Sequence, residues 1–521
     1  MLIPYKPLAM TKSEIKALTD NLLQVHQALI DCSEEYKSIL DKIHPNYRYS
    51  AMNFIRYLKL RTFELRNIQS RLSMLGLSSI GHSERYVLAN IENILYFLHI
   101  YQGLEFKGKY SIGQHPINFL ESQNLLLNNT NRLFQTQNRK RNTNIMVTMP
   151  TEATDYQFVK NLVMHGMDVA RINCSHDDVS VWKKIAINIR KASLEVNRPC
   201  SVYVDLSGPK LRTGQVEEKP HPKKSKKTVN YLTLFEGDHL HLYRSDIVGQ
   251  NARRDENGKE IEPAKISCTI PSIFDDIKAG ENIWFDDGNI GGRISSINEA
   301  YALIRITKAS HKGSKLRAEK GINLPDSDLR LPALTEEDLS HLPFVIDYAD
   351  IVGYSFVRKP SDVEQLQAEL KKLNKPEIGL VLKIENKEAF SNLPALLLTA
   401  MRSPTIGVMI ARGDLAVELG AERLSEVQEQ IMWLCEAAFI PNIWATQVLE
   451  TLAKEGIATR AEITDAAMSA QAECVMLNKG DFILDAIQTL SNILERMKDH
   501  HNKKKETLRM LKVARHFFEQ G

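Results

Sequence analysis

Eight short apolar runs, most of them separated by amphipathic helical stretches, predict an α/β fold. A turn-rich interruption with alternating patterning and a helix-only opening complete the picture. The expected architecture is a closed (β/α)8 barrel with an inserted small β-barrel lid domain and an N-terminal α-helical domain. Along the 521 residues the expected division is 1–137 for the helical domain, 138–213 for the first part of the barrel, 214–318 for the insert, 319–497 for the second part of the barrel and 498–521 for a helical tail.

Thr11 is expected to cap the opening helix, ahead of Ile15, Leu18, Leu22, Val25, Leu29 and Ile30 at single-face spacing. His44-Pro45-Asn46 breaks it. A second helix reads from about residue 50 to 75 and stops at Gly76. A third starts near Ser83 and carries Val87, Ile91, Ile94, Leu95 and Leu98. The Asn/Gln-rich residues 122–138 and the basic run Arg139-Lys140-Arg141-Asn142 read as a linker. The apolar runs then fall at 145–147, 169–172, 200–204, 351–352, 378–382, 406–410, 443–444 and 474–477, with helical patterns such as 155–165, 360–373 and 424–438 between them. Runs that are apolar on both faces suit parallel strands covered by helices. Alternating patterns at 231–235, 239–243 and 302–306 mark the insert.

Composition narrows the function classes. Sixty-seven Lys and Arg stand against 64 Asp and Glu, and a net charge of +3 gives no drive toward nucleic acid or anionic membrane. A chain that is 43% hydrophobic and 25% charged is an ordinary globular one, which excludes wholesale disorder and collagen-like repeats. Six cysteines without a CxxC pair read as reduced thiols rather than a disulfide framework. No run is long enough for a membrane helix, and the opening residues lack the apolar run of a signal peptide. A soluble, cytoplasmic protein is expected.

Three apparent motifs are set aside. The stretch Gly103 to Tyr110 nearly fits a P-loop, but Tyr110 stands where a Ser or Thr must hold magnesium. His239 and His241 share a strand face without a third ligand, and the run Lys223-Lys224-Ser225-Lys226-Lys227 reads as a solvated loop. The informative residues follow the barrel strands: Arg171, Asn173, Ser175 and His176; then Asp205 to Arg212; Lys383 and Glu385; Gly413 and Asp414; and Thr446. Any one set could be a polar cap, but five sets on one face point to a site, because barrel enzymes assemble theirs at strand C-termini. Glu385 and Asp414 carry hard oxygens suited to magnesium or manganese. Lys383 lies two residues before Glu385, hence on the same side of its strand. Arg171 and Arg212 supply planar forks for phosphate, and Gly413 lets a backbone N–H approach an anion. A metal, a lysine and two arginines around one point describe phosphoryl transfer.

The strings GMDVARINCSH (166–176), VDLSGPKLRTG (204–214), FDDG (285–288), KGINLP (320–325), SFVRKPSDV (355–363), LKIEN (382–386), ARGDLAVEL (411–419), ATQVLETL (445–452) and TRAEITD (459–465) run in one order across about 144–480. Together they resemble the pyruvate kinase family. The resemblance implies that Glu385 and Asp414 hold the divalent metal, and that Arg171 and Lys383 neutralise the phosphoryl group of phosphoenolpyruvate. It implies that Gly413 and Asp414 also contact that substrate, and that Thr446 delivers a proton to the enolate, through water. Arg212, His176 and Asp287 would face ADP or ATP, Asp287 swinging in with the lid. Family members that need potassium hold it with residues equivalent to Asn173, Ser175 and Asp205 plus a threonine hydroxyl. Here Leu206 stands at the threonine position, and Lys210 stands where those members have glutamate. An ammonium group there can replace the ion, so potassium is not expected to be required.

Two departures lie on the nucleotide side. The family's TIGPAS is Thr148-Met149-Pro150-Thr151-Glu152 here, and its SGETA is Asn478-Lys479-Gly480-Asp481. The family's C-terminal effector domain is expected to be absent. A homo-oligomer stays open, as do two rival functions: a non-catalytic ligand-sensing or interaction protein, and a barrel lyase that uses the same metal-enolate pocket without a nucleotide.

Overall fold

The computed structural model describes residues 10–77, 80–106, 116–135, 141–220 and 228–498. The Lys223–Lys227 run, residues 107–110 of the near P-loop, Arg139-Lys140 and residues 499–521 lie outside them.

Eight parallel strands close into a barrel. They are β1 (Asn144–Thr148), β2 (Val169–Asn173), β3 (Ser201–Asp205), β4 (Ile351–Tyr354), β5 (Gly379–Ile384), β6 (Ile406–Ala411), β7 (Asn442–Ala445) and β8 (Cys474–Leu477). Every apolar run read from the sequence is a strand. Parallel register sets Asn173 opposite Asp205, Tyr354 opposite Leu382 and Ala411 opposite Ala445. The C-terminal ends therefore share one rim, and the residues that follow them face one space.

Inside, Met146, Val169, Tyr203, Ile351, Val381, Met409, Ile443, Ala445, Cys474 and Met476 from the eight strands pack in one buried cluster. The opposite end is plugged by Leu133 and Phe134, from the helix Phe119–Phe134. This corrects the expected linker. Asn118 and Glu121 form a capping box, and Leu126, Thr130 and Leu133 give the helix a buried face that its Asn-rich composition conceals. A Cβ on Gly379 or Gly407 would come within 2.9 or 2.6 Å of the Leu133 methyls, so these glycines make room for the plug. Asn129 Nδ2 donates to the Phe439 carbonyl (2.7 Å), and Ser201 Oγ donates to that of Phe134 (2.9 Å).

The other helices form a layer against the barrel's underside. Thr11 caps Lys12–Glu35 in a capping box with Glu14, and Ile15, Leu18, Leu22, Val25 and Leu29 are buried. The expected second helix is two, Arg48–Leu60 and Arg66–Met74. Between them the backbone tightens to three-residue turns, Thr62 N–H to the Lys59 carbonyl (3.1 Å) and Phe63 N–H to that of Leu60 (3.2 Å); the Thr62 hydroxyl adds a bond to the Lys59 carbonyl (2.7 Å), and Glu64 accepts the Arg66 N–H (3.1 Å). The third helix spans Val87–Gln102. Tyr47 Oη accepts the Ile406 N–H (3.1 Å), and Asn53 Nδ2 donates to the Ala437 carbonyl (2.9 Å). These contacts join the helical layer and the barrel in one apolar core.

Between β3 and β4 lies a six-stranded sheet in the order Ala264–Ser267, His239–Tyr243, Tyr301–Lys308, Ile290–Ile297, Asn282–Phe285 and Ile322–Asn323. A separate ladder joins Tyr231–Leu234 to Ser314–Arg317. Among the described residues these ladders form an open sheet with a smaller companion rather than a closed β ring. His239 pairs with Glu260 (3.0 Å) and His241 stacks on Tyr301. All six cysteines are buried and none forms a disulfide. Among the described residues no helix is long and apolar enough to cross a membrane.

Candidate active site

A cavity of about 390 Å³ opens at the C-terminal rim of the barrel. Arg171, Asn173, Ser175, His176, Lys210, Arg212, Asp287, Lys383, Glu385, Gly413, Asp414 and Thr446 all line it. Of the residues expected there, Asp205 alone sits behind the wall, 1% exposed.

Asp205 organises the cations. Its Oδ2 accepts from Arg171 Nε (3.0 Å) and from the terminal guanidinium nitrogen, and also from Lys383 Nζ (3.2 Å). Arg171 is held from the other side by the hydroxyl of Thr148, the last residue of β1 (3.1 Å). Lys383 Nζ also reaches Ser355 Oγ (2.7 Å) and Glu385 Oε1 (3.0 Å). Burial would raise the Asp205 pKa, but the Lys383 and Arg171 charges outweigh it and hold it below the ordinary aspartate value. Burial likewise works against the Lys383 charge, and Asp205 and Glu385 more than offset it, so the ammonium stays protonated. Burial pushes Glu385 upward, with Lys383 opposing and the Asp414 charge adding.

Across the cavity Asp414 lies in the first turn of helix Arg412–Leu419, directly after β6. Lys210 Nζ stands 3.2 Å from each of its carboxylate oxygens and 6.0 Å from the centre of the Phe356 ring. The ammonium thus faces Asp414 rather than Asp205. The Gly413 N–H donates to Thr446 Oγ1 (3.0 Å). Thr446 has φ +68°, a left-handed conformation that a β-branched residue rarely adopts. Arg412 holds it there: its guanidinium donates to the carbonyls of Ala445 and Thr446 and pairs with Asp465.

On the insert side, Arg212 donates to the Glu319 carbonyl (3.0 Å). Asp287 is already in the cavity wall, its pKa raised by burial, with Lys210 opposing and Asp414 adding. A Cβ on the neighbouring Gly288 would lie 3.3 Å from Val417, so this loop rests against the Asp414 helix. His176 is held below its ordinary pKa by burial and by the charges of Lys479 and Arg212. Asn478, from the altered loop after β8, lines the same cavity.

Ser355 and Phe356 have no role in the sequence reading, yet both line the cavity. The Phe356 N–H donates to Glu385 Oε2 (2.6 Å). Both follow β4, so the strand-end rule applied to that run would have found them.

Residues 140–482 match the family model described as pyruvate kinase, barrel domain. The pyruvate kinase of Bacillus licheniformis is 32% identical over 372 residues, 70% of this chain and 58% of that protein. That of Geobacillus stearothermophilus is 31% identical over 361 residues, 68% of this chain and 56% of its own length. That of Thermotoga maritima is 29% identical over 362 residues, 68% and 70%. The chain spans a little over half the length of the first two.

Proposed function

Because the chain belongs to the pyruvate kinase family, we propose that it transfers the phosphoryl group of phosphoenolpyruvate to ADP, giving pyruvate and ATP, with a magnesium or manganese ion and without a need for potassium. The observation that carries this reading is the array of Arg171, Asp205, Lys383 and Glu385 on one side of a cavity that Asp414 and Thr446 close on the other.

Glu385 and Asp414 would hold the metal. Among the described residues no cluster of three or more His, Cys, Asp or Glu side chains is present, and two carboxylates suit an ion that completes its shell with water and substrate oxygens. Such an ion supplies charge neutralisation at the phosphate and the enolate. Arg171 and Lys383, fixed by Asp205, present two cations to the transferring phosphoryl group. Their positions are set before substrate arrives, which avoids reorganisation during reaction. As the bond from the enol oxygen to phosphorus breaks, an ADP oxygen takes up phosphorus, and the enolate left behind takes a proton at carbon. Thr446 Oγ1 already accepts the Gly413 N–H, so its own O–H remains to be donated to the enolate, through water. Arg212, His176 and Asp287 would meet the nucleotide, with residues 214–318 acting as a lid. Lys210 would supply the positive charge that potassium brings in other members. Under this reading the chain works in the cytoplasm.

A second reading, a non-catalytic ligand-sensing protein, draws on the Asn478-Lys479 replacement, which sets a lysine charge near His176. Phosphorus-31 NMR of the purified chain with phosphoenolpyruvate, ADP and magnesium separates the two. The catalytic reading requires the phosphoenolpyruvate signal to be replaced by that of the ATP γ-phosphate. An unchanged spectrum favours the sensor.

A further inference from the structure

Lys210 stands on the loop after β3 and reaches across the cavity to the helix that follows β6. Its Nζ lies 3.2 Å from each carboxylate oxygen of Asp414, so one ammonium engages both. The stem is seated for that contact. Gly321 pairs with Arg212 across a β-bridge beside it, and a Cβ on Gly321 would lie 3.3 Å from Lys210 Cε. The glycine leaves the stem its room. The pair is part-buried, the lysine side chain 25% exposed and the aspartate 16%, and charges in such a place are screened less than at an open surface.

Both carboxylates proposed to hold the divalent metal are thus already paired with a lysine, and the two lysines are held differently. Lys383 Nζ contacts Glu385 (3.0 Å), Asp205 (3.2 Å) and Ser355 (2.7 Å), so two partners keep it in place if Glu385 turns to an ion. Among the described residues, Asp414 is the one hydrogen-bonded partner of Lys210 Nζ, with the Phe356 ring 6.0 Å away. Lys210 is the displaceable one. An ammonium and a divalent ion compete for the same carboxylate oxygens. Arg171 and Lys383, which are expected to meet the substrate phosphate, line the same cavity. A phosphate bound there offers the Lys210 ammonium a second anionic partner.

We propose that Lys210 is a built-in competitor for the metal position at Asp414. In the free chain its ammonium occupies the carboxylate and lowers its affinity for a divalent ion. When phosphoenolpyruvate binds, the phosphate draws the ammonium away and releases Asp414. Metal and phosphoenolpyruvate therefore strengthen each other's binding, by the same factor in both directions. This rests on the reading of Asp414 as a metal-holding residue.

The test titrates Mn2+ into the full chain and reads the free ion by electron paramagnetic resonance, at fixed ionic strength and without nucleotide, so no turnover is involved. Without phosphoenolpyruvate, Lys210→Gln should bind Mn2+ about tenfold more tightly than wild type, the gain from losing a competing charge-assisted pair. Arg212→Gln removes a positive charge from the same cavity wall, but that guanidinium bonds the Glu319 carbonyl rather than Asp414. It should stay within about threefold of wild type. Saturating phosphoenolpyruvate should tighten Mn2+ binding by a larger factor in wild type than in Lys210→Gln. Equal affinity of Lys210→Gln and wild type, an equal gain in Arg212→Gln, or an equal phosphoenolpyruvate effect in both chains would each overturn the proposal while leaving Asp414 as a metal ligand. Absence of Mn2+ binding from every form would overturn the metal assignment itself, and the proposal with it.

Discussion

Replacing Lys383 by Met removes the one side chain that touches Asp205, Ser355 and Glu385 together, at 3.2, 2.7 and 3.0 Å. Two separable effects follow. Catalytically, the phosphoryl group loses a fixed cation in a water-poor site, and turnover should fall at least ~10²-fold, comparable to deleting one oxyanion-hole donor. Structurally, the lysine side chain is 10% exposed and its carboxylate neighbours are 1% and 4% exposed. Asp205 keeps Arg171, and Glu385 keeps the Phe356 N–H, so neither is stranded. Breaking a buried pair from one side costs ~3–5 kcal/mol, and the surviving contacts place this case near the lower figure. A pyruvate-linked rate assay on the mutant, alongside its thermal midpoint, reads both. A single mutant within about threefold of wild-type turnover would exclude Lys383 from the chemistry, since that is well under 1 kcal/mol of barrier.

Three further outcomes are expected. Activity in sodium buffer should not rise tenfold on exchange to potassium at matched ionic strength, the rise that about 1.4 kcal/mol of barrier would give; Lys210→Glu, which sets a carboxylate beside Asp414, should lower activity and leave it unresponsive to potassium. Leu133→Ala should cost ~2–5 kcal/mol of stability by opening a void at the barrel's plugged end, while turnover of the folded molecule is unchanged; a thermal midpoint equal to wild type would contradict the plug. Glu418, beside Asn323 of the insert at 3.2 Å, has its pKa pushed up by burial to about 7. A carboxyl raised in the folded state binds its proton more tightly there, so its contribution is present below about 4.5 and is lost as pH rises toward 7. Glu418→Gln should therefore flatten the fall in stability across that window, an effect of at most ~3 kcal/mol; a pH profile parallel to wild type would refute it.

The barrel was legible in the sequence because its strands are buried on both faces, which leaves uninterrupted apolar runs such as 406–410. The site was legible because polar residues directly after those runs have one rim to occupy. The helix Phe119–Phe134 was hidden because its buried positions include Ser122, Asn129 and Thr130, whose burial depends on partners such as the Phe439 carbonyl over three hundred positions away. The break near Thr62 is a local tightening to three-residue turns, with the Thr62 hydroxyl adding to the Lys59 carbonyl, which apolar periodicity does not register. The pairing of Lys210 with Asp414 joins residues 204 positions apart, and spacing says nothing of which carboxylate the ammonium meets. The left-handed Thr446 is imposed by Arg412 from outside its own segment.

The most direct test of phosphoryl transfer to a nucleotide follows pyruvate release from phosphoenolpyruvate by the purified chain with magnesium, in parallel with ADP, with GDP and with no nucleotide. The account predicts pyruvate formation that requires a nucleoside diphosphate and disappears when Asp414→Asn removes a metal-holding carboxylate. Pyruvate released equally well without any nucleotide would contradict it, since the phosphoryl group would then pass to water.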